Sequence, residues 1–186
     1  MNFKDFDRIE LRFSGTGGQG LVLASIIMAE VLMMRGYNII QGESHGIEAR
    51  GGASRGELIA SKGEIYDLTV KHPHIFVAIS QESCNKYYRD IQKDGLVIID
   101  SILVKTIPSD INSDYIYQIP FTQHIQDQLG TVLPTNIAFL GALSILTDLL
   151  IKRGIEKVIK NRVPKGSEEV NLKAFHIGRE LAKEHQ

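Results

Sequence analysis

The chain has 186 residues, of which 43% are apolar and 23% charged, and this usage is ordinary for one globular domain spanning residues 1–186. With 21 basic and 22 acidic side chains the net charge is −1, which gives no indication of a nucleic-acid partner. Because Cys84 is the single cysteine, the chain alone can form neither a disulfide, nor an iron–sulfur cluster, nor a four-thiolate zinc site.

The first 40 residues predict a strand, a glycine turn, a helix and a second strand. Residues 9–13 alternate apolar and charged side chains, as a strand does before a turn. Apolar side chains recur at helical spacing over residues 20–35, and Gly36 is placed to end that helix. Residues 37–40 are the second strand, so this order predicts the opening of a right-handed βαβ unit in a parallel sheet.

A polar, glycine-dense loop follows over residues 42–52. The rest of the chain predicts a hairpin, then alternating strands and helices, then a helical last third that includes an almost wholly apolar helix. The segments are a hairpin of 53–60 with 64–70, strands at 75–79, 96–99 and 115–119, a helix at 82–92, and the apolar helix at 136–150. This pattern indicates an α/β fold, a three-layer Rossmann-like sandwich with a mostly parallel sheet and a helical C-terminal third.

The sequence shows neither a signal peptide nor a membrane-spanning segment, and the prediction of cellular location rests on these two features. The opening residues MNFKDFDRIE have no apolar core of the signal-peptide type. The two richest apolar runs, residues 21–34 and 137–151, are too short or too interrupted to span a bilayer. We therefore expect a cytoplasmic protein with no membrane partner.

The sharpest local motif is the glycine turn, which runs Gly15-Thr16-Gly17-Gly18-Gln19-Gly20 between a predicted strand and a predicted helix. Glycines there let backbone N–H groups approach a phosphate or carboxylate at the positive end of a helix. The alternative is a tight turn that only packs helix on strand. A dinucleotide would also need an acid at the end of the second strand, and Glu43 meets that requirement poorly.

The second motif sets one arginine among small residues, in the order Glu48-Ala49-Arg50-Gly51-Gly52. Such a loop can present the guanidinium group of Arg50 to a phosphate or carboxylate near the first glycine turn. A salt bridge from Arg50 to Glu43 or Glu48 that merely shapes the loop explains the pattern equally well.

Ser80 and Ser101 follow buried strands and are expected at the same sheet edge, where open α/β folds bind ligands. No catalytic set of side chains emerges, because no nucleophile motif or suitably spaced histidine is present. The histidine spacing does not suit a metal either. The candidate cofactor-binding residues are therefore Gly15, Gly17, Gly18, Gln19, Gly20, Arg50, Gly51, Gly52, Ser80 and Ser101.

Taken together, the motifs resemble those of the gamma subunits or gamma domains of 2-oxoacid:ferredoxin oxidoreductases. The resemblance covers GTGGQGLVLAS at 15–25, SHGIEARGGASRGE at 44–57, IFVAISQES at 75–83, GLVIIDS at 95–101, and Asn136 with Gly141. The EARGGAS form is more similar to the 2-oxoglutarate branch than to the pyruvate branch, and indolepyruvate subunits are near relatives. His74 departs from the pattern, since relatives usually carry an acid there.

The resemblance implies a non-autonomous subunit of an enzyme that oxidatively decarboxylates a 2-oxoacid to an acyl-CoA. Thiamine diphosphate and iron–sulfur clusters would lie on partner alpha and beta subunits, with a ferredoxin-like delta subunit as a further partner. Coenzyme A is the ligand that the glycine loops could take, and a homodimer of the isolated chain stays open. The alternative is a self-sufficient NAD-binding Rossmann-type oxidoreductase or nucleotide-binding module.

Overall fold

A computed structural model of the protein describes residues 3, 6–44, 52–150 and 152–186. Six strands and the first two helices precede a helical last third, and that helical last third is as the sequence predicts. The elements are β1 (Arg8–Thr16), α1 (Leu21–Met33), β2 (Asn38–Ser44), β3 (Ala53–Ser61), β4 (Ile75–Ala78), α2 (Gln81–Tyr87), β5 (Leu96–Asp100), β6 (Tyr115–Ile119), α3 (Phe121–Leu129), α4 (Thr135–Leu146), α5 (Lys152–Arg162) and α6 (Glu168–Glu184).

The six strands of the described residues form one sheet in the order β2-β3-β1-β4-β5-β6. β1, β4, β5 and β6 are parallel neighbours, whereas β3 is antiparallel to both β1 and β2. The prediction of a mostly parallel sheet is therefore confirmed. β1 and β2 run in the same direction but do not pair, because β3 lies between them.

The predicted hairpin of residues 53–60 with 64–70 is wrong. β3 pairs along one edge with β1 and along the other with β2, and Ser61 lies opposite both Arg8 and Asn38. A strand has only two hydrogen-bonding edges, so none is left for residues 64–70. Those residues form no strand, and the side chains of Tyr66 and Leu68 face solvent.

The sheet separates two hydrophobic clusters. Ile75 and Val77 of β4 belong to the larger cluster, and Phe76 and Ala78 belong to the smaller one. Because alternate residues of a strand point to opposite faces, the two clusters lie on opposite sides of the sheet. Helices α1, α4 and α6 contribute to the larger cluster, and α2 contributes Cys84 to the smaller, which gives the expected three layers.

Helices α4 and α6 approach each other through glycines. A Cβ on Gly178 of α6 would lie 1.9 Å from the Ala138 carbonyl oxygen, and one on Gly141 of α4 would lie 2.1 Å from the Phe175 carbonyl oxygen. Only hydrogen fits at both positions. This contact fixes α4, whose first turn reaches the carboxyl edge of the sheet. No helix in the described part of the chain has the length and apolar character needed to cross a membrane.

We expect Gly178→Ala to lower the free energy of unfolding by about 3 kcal/mol, because the new methyl group must push the α4 and α6 backbones apart. Urea unfolding followed by circular dichroism measures the change. Gly154→Ala in α5 is the matched control, since a Cβ there meets nothing within 4 Å. The control should stabilise the protein by up to about 1 kcal/mol, and equal effects of the two substitutions would contradict the assigned packing.

Candidate functional site

The glycine turn lies where the sequence places it, between the end of β1 at Thr16 and the start of α1 at Leu21. Gly18 and Gly20 have φ angles of 90° and 70°, in the left-handed region where a side chain is strained. Glycine is therefore a conformational requirement at these two positions. The turn meets the carboxyl ends of parallel strands, the edge at which open α/β sheets bind ligands.

Gln19 braces the turn from inside. Its Oε1 accepts the Thr16 N–H at 2.7 Å, and its Nε2 donates to the Ile79 carbonyl at 3.3 Å. The same side chain fills the space beside Gly15, where a Cβ would lie 2.3 Å from the Gln19 Oε1. Both ends of the carboxamide thus bond within the chain, and Gly15 is needed for close packing.

Asn136 braces the turn from outside. This residue is in the first turn of α4 and is 4% exposed, and its Nδ2 donates to the Gly20 carbonyl at 2.9 Å. A Cβ on Gly20 would lie 2.5 Å from that Nδ2 atom, so the amide packs directly on the glycine. The sequence indicates Asn136 only through the family resemblance, because a contact across 116 positions leaves no local pattern.

On the opposite side of the turn, a Cβ added to Gly17 or Gly18 would meet no atom of the described residues within 4 Å. Gly20, the N-cap of α1, provides no side-chain cap, and the first turn of α1 carries no acid. A cavity of about 70 Å³ lies there and is lined by Thr16, Gly17, Gly18, Gly20, Leu21, Val22, Ser54 and Arg55.

Two neighbouring helices begin at the same edge but are capped by side chains. The Ser80 Oγ accepts the Ser83 N–H at 3.2 Å at the start of α2. The buried carboxylate of Asp100 accepts the Thr122 N–H at 3.0 Å at the start of α3 and also takes the Thr122 hydroxyl. The N–H groups at the start of α1 have no comparable side-chain acceptor at their N-cap. Backbone donors at the start of α1 are therefore not capped by a side chain at Gly20.

The second glycine-rich loop is anchored beside the glycine turn. Ala53, the first residue of β3, lies opposite Thr16, while Ser44, the last residue of β2, lies opposite Arg55. Both ends of the loop thus emerge at the edge that carries the glycine turn. Gly52 is described, whereas Arg50 and Gly51 lie outside the described residues. A guanidinium group of Arg50 near the turn stays a prediction.

Arg55 is a cation that sequence reasoning missed, although it stands in the second motif. Its Cζ lies 5.0 Å from the Tyr87 ring centre, and its Nε lies 3.5 Å from the Glu57 carboxylate without making a hydrogen bond. That Nε is the one buried side-chain nitrogen or oxygen without a hydrogen-bond partner among the described residues, although it is ion-paired with Glu57. The Glu57 carboxylate also bonds Arg12 at 2.7 Å, and Arg12 in turn lies 4.0 Å from the Asp90 carboxylate.

A larger cavity of about 270 Å³ adjoins the turn. It joins the turn to the ends of β4 and β5 and to the loop before α4, and its lining residues are Gly18, Gln19, Ile79, Leu103, Thr122, Val132, Leu133 and Thr135. Leu133 is 80% exposed and Val132 is 45% exposed, which makes the mouth of this cavity apolar. A pocket that encloses a drug-sized ligand measures roughly 300–1,000 Å³, so this cavity can hold only part of one.

Ser80 and Ser101 lie at the predicted edge but do not line the cavities described above. The Ser80 hydroxyl caps α2 and donates to the Ser83 hydroxyl at 3.0 Å. The main chain of Ser101 donates to the Ile119 carbonyl and accepts from Lys105. The Ser80 hydroxyl is therefore bonded within the chain. At the end of β5 it is Asp100, the residue before Ser101, whose side chain caps α3.

The sheet order argues against a dinucleotide site. The sequence predicts Glu43 in the loop after a strand of residues 37–40, but β2 extends to Ser44 and includes it. An acid at that end of the second strand could hold ribose hydroxyls. That role requires the second strand to lie beside the first. Here β3 separates the two, which places β2 two strand spacings, roughly 10 Å, from β1.

The described residues form no group of three histidine, cysteine, aspartate or glutamate side chains that could hold a metal ion. His74, which departs from the family pattern, has a structural role: its Nδ1 accepts the Glu10 N–H at 3.1 Å. Burial lowers the pKa of His74, and this favours the neutral ring that such a bond requires.

Comparison with known proteins places these features in a family. The family described as pyruvate ferredoxin/flavodoxin oxidoreductase matches residues 10–181. The chain is 41% identical to the 2-oxoglutarate synthase subunit KorC of Methanocaldococcus jannaschii, over 95% of each protein. The family match over residues 10–181 begins in β1, the strand before the glycine turn, and ends in α6, the last helix.

Solved structures agree with this match. The chain superposes with a TM-score of 0.83 on the gamma subunit of a keto/oxoacid ferredoxin oxidoreductase from Geobacter sulfurreducens, at 37% identity over 96% of this chain and 98% of that one. It also superposes, at 21% identity and a TM-score of 0.84, on 32% of a chain of the 2-oxoglutarate:ferredoxin oxidoreductase from Magnetococcus marinus. At that identity the second likeness shows the fold alone.

We expect Gln19→Leu to lower the free energy of unfolding by about 2 kcal/mol, because it leaves the Thr16 N–H and the Ile79 carbonyl without their partner. Thermal and urea unfolding measure the loss. Gln126→Leu, at an exposed position of α3, should change stability by less than about 0.5 kcal/mol. A Gln19→Leu protein as stable as this control would show that the side chain is not bonded internally.

Proposed function

Because the chain belongs to the pyruvate ferredoxin/flavodoxin oxidoreductase family, we propose that it is the gamma subunit of a 2-oxoglutarate:ferredoxin oxidoreductase. The complex would oxidatively decarboxylate the 2-oxoacid and transfer the acyl group to coenzyme A. The observation that carries the proposal is the 41% identity to a 2-oxoglutarate synthase subunit over 95% of both chains.

The chemistry of this reaction must come largely from partner chains. Thiamine diphosphate and iron–sulfur clusters are proposed on the alpha and beta subunits, with a ferredoxin-like delta subunit as a further partner. Two features of this chain support that division. Its single cysteine cannot ligate a cluster, and the described residues contain no metal-ligating group of three side chains. The Magnetococcus marinus chain, of which this fold covers 32%, is long enough to carry further domains.

The proposed task of this chain is to receive the phosphate end of coenzyme A at the open side of the glycine turn. There the N–H groups at the start of α1 meet a cavity wall that contains no side chain at Gly17 and Gly18. A helix N-terminus favours an anion by about 0.3–1 kcal/mol, and a partly buried site by up to about 2 kcal/mol. Arg55 lines the same cavity and adds positive charge.

The size of the site supports a shared ligand. The two cavities at the turn measure about 70 and 270 Å³, so much of a molecule as long as coenzyme A must extend beyond this chain. The exposed apolar side chains of Val132 and Leu133 stand at the mouth of the larger cavity. A partner chain that covers them would complete the site and exclude water from it.

Affinity purification of the tagged chain from its native host tests the subunit assignment. We expect larger chains that contain thiamine diphosphate and iron–sulfur clusters to copurify, and the eluate to reduce ferredoxin when 2-oxoglutarate and coenzyme A are both added. The chain expressed alone is the control and should be inactive. Purification of a lone chain that oxidises a substrate by itself would refute the assignment.

Gly17→Ala tests the coenzyme A contact. The added methyl group meets no atom of the described residues within 4 Å, so the thermal midpoint should stay unchanged while the methyl blocks the approach of a phosphate. In the assembled complex we expect the KM for coenzyme A to rise at least about tenfold, a loss of roughly 1.4 kcal/mol of binding. Gly154→Ala, equally unhindered but in α5, should leave this KM unchanged. An unaltered KM in both variants would place coenzyme A elsewhere.

A further inference from the structure

Another cavity, of about 280 Å³, lies between α1 and the first turns of α4 and α6. Its walls are largely apolar and include Leu23, Leu133, Pro134, Pro164 and Val170. None of the described residues that line it carries a charge. A charged ligand would lose its hydration there without gaining a counter-charge, so the cavity suits an uncharged group.

Two buried amide side chains also line this cavity. Asn136 of α4 is 4% exposed and Asn171 of α6 is 8% exposed. The Nδ2 of Asn136 donates to the Gly20 carbonyl at 2.9 Å, and the Nδ2 of Asn171 donates to the Ser167 carbonyl at 2.8 Å. The nitrogen end of each amide is therefore held by the main chain.

The oxygen ends of the same two amides have no donor. Neither Oδ1 accepts a hydrogen bond from the part of the chain that the structure describes. Neither is enclosed by protein atoms, since the Arg55 Nε is the one enclosed side-chain atom without a hydrogen bond among the described residues. Each oxygen thus borders open space, and the open space beside both residues is this cavity. A largely buried acceptor without a donor is unfavourable, so the cavity lacks a donor group.

The volume and the rim of the cavity define the size of the ligand. A dry apolar cavity of about 150 Å³ binds benzene, so a cavity of about 280 Å³ has room for a molecule of two fused rings. Leu133 is 80% exposed and stands at the rim, where a bound molecule would cover part of its side chain.

We propose that this cavity binds a small uncharged molecule whose apolar body carries an N–H or O–H donor for Asn136 and Asn171. The apolar walls hold the body, and the two amide oxygens accept the donor. The site is distinct from the glycine turn, because Leu133 is the one described residue that lines both this cavity and the cavity of about 270 Å³. Binding there requires neither coenzyme A nor a partner chain.

Indole and benzofuran test the site, because these bicyclic molecules have the same shape but carry an N–H group and an oxygen, respectively. We expect indole to bind the full chain about fivefold more tightly than benzofuran, the effect of one hydrogen bond. Titrations followed by ¹H–¹⁵N NMR measure both dissociation constants, and indole should shift the side-chain amide signals of Asn136 and Asn171. Equal affinities, or no binding of either molecule at millimolar concentration, would overturn the proposal.

Two substitutions in the cavity wall locate the bound molecule. Asn171→Leu keeps the bulk of the side chain without its acceptor and should reduce the preference for indole. Asn161→Leu, at an exposed position of α5, is the matched control and should leave that preference unchanged. Val170→Phe places a ring in the cavity and should weaken the binding of both molecules at least about tenfold.

Val170→Phe also keeps the test decisive if Asn171→Leu fails to fold, since the valine side chain makes no hydrogen bond that the substitution could break. Indole that binds the Val170→Phe protein as tightly as the unaltered chain would lie elsewhere, and this result would refute the site. A preference for indole that is undiminished in a folded Asn171→Leu protein would refute it as well.

Discussion

The antiparallel pairing of β3 with both β1 and β2 is the constraint on which the candidate site depends. Since β3 runs opposite to its neighbours, it begins where β1 and β2 end. The loop that joins β2 to β3 is therefore anchored at the carboxyl edge of the sheet, with Ala53 beside Thr16. The same pairing moves β2 away from the glycine turn, which removes the acid that a bound dinucleotide would need.

Both glycine-rich loops are anchored at this edge, and two side-chain amides hold the glycine turn in its conformation. Gln19 bonds across the turn to Thr16 and Ile79, and Asn136 holds Gly20 from the next helix layer. The amide groups of Gln19 and Asn136 are thus both bonded within the chain. What faces outward is backbone, at a helix start that no side chain of its N-cap closes. A preorganised backbone surface of this kind suits an anion, because little further ordering accompanies binding.

The described residues form only small cavities at this edge. Cavities of about 70 and 270 Å³ are small, the larger opens between exposed apolar residues, and the described residues hold no metal-ligating cluster. The chain belongs to the pyruvate ferredoxin/flavodoxin oxidoreductase family. In the complex proposed above, this chain would contribute one wall of the site, and partner chains would contribute the redox chemistry.

The sequence by itself determined the elements that follow local rules. Apolar runs predicted the buried strands β4 and β5, the partly exposed β6 was predicted over its observed bounds, and the order of strand, glycine turn and helix located the turn. It also supplied the motifs of the family. The tertiary structure alone decided the partners of β3, the exposure of Tyr66 and Leu68, and the bond from Asn136 to Gly20. Strand pairing and long-range hydrogen bonds depend on which edges and donors remain available after the chain has packed, and local spacing carries no record of that competition.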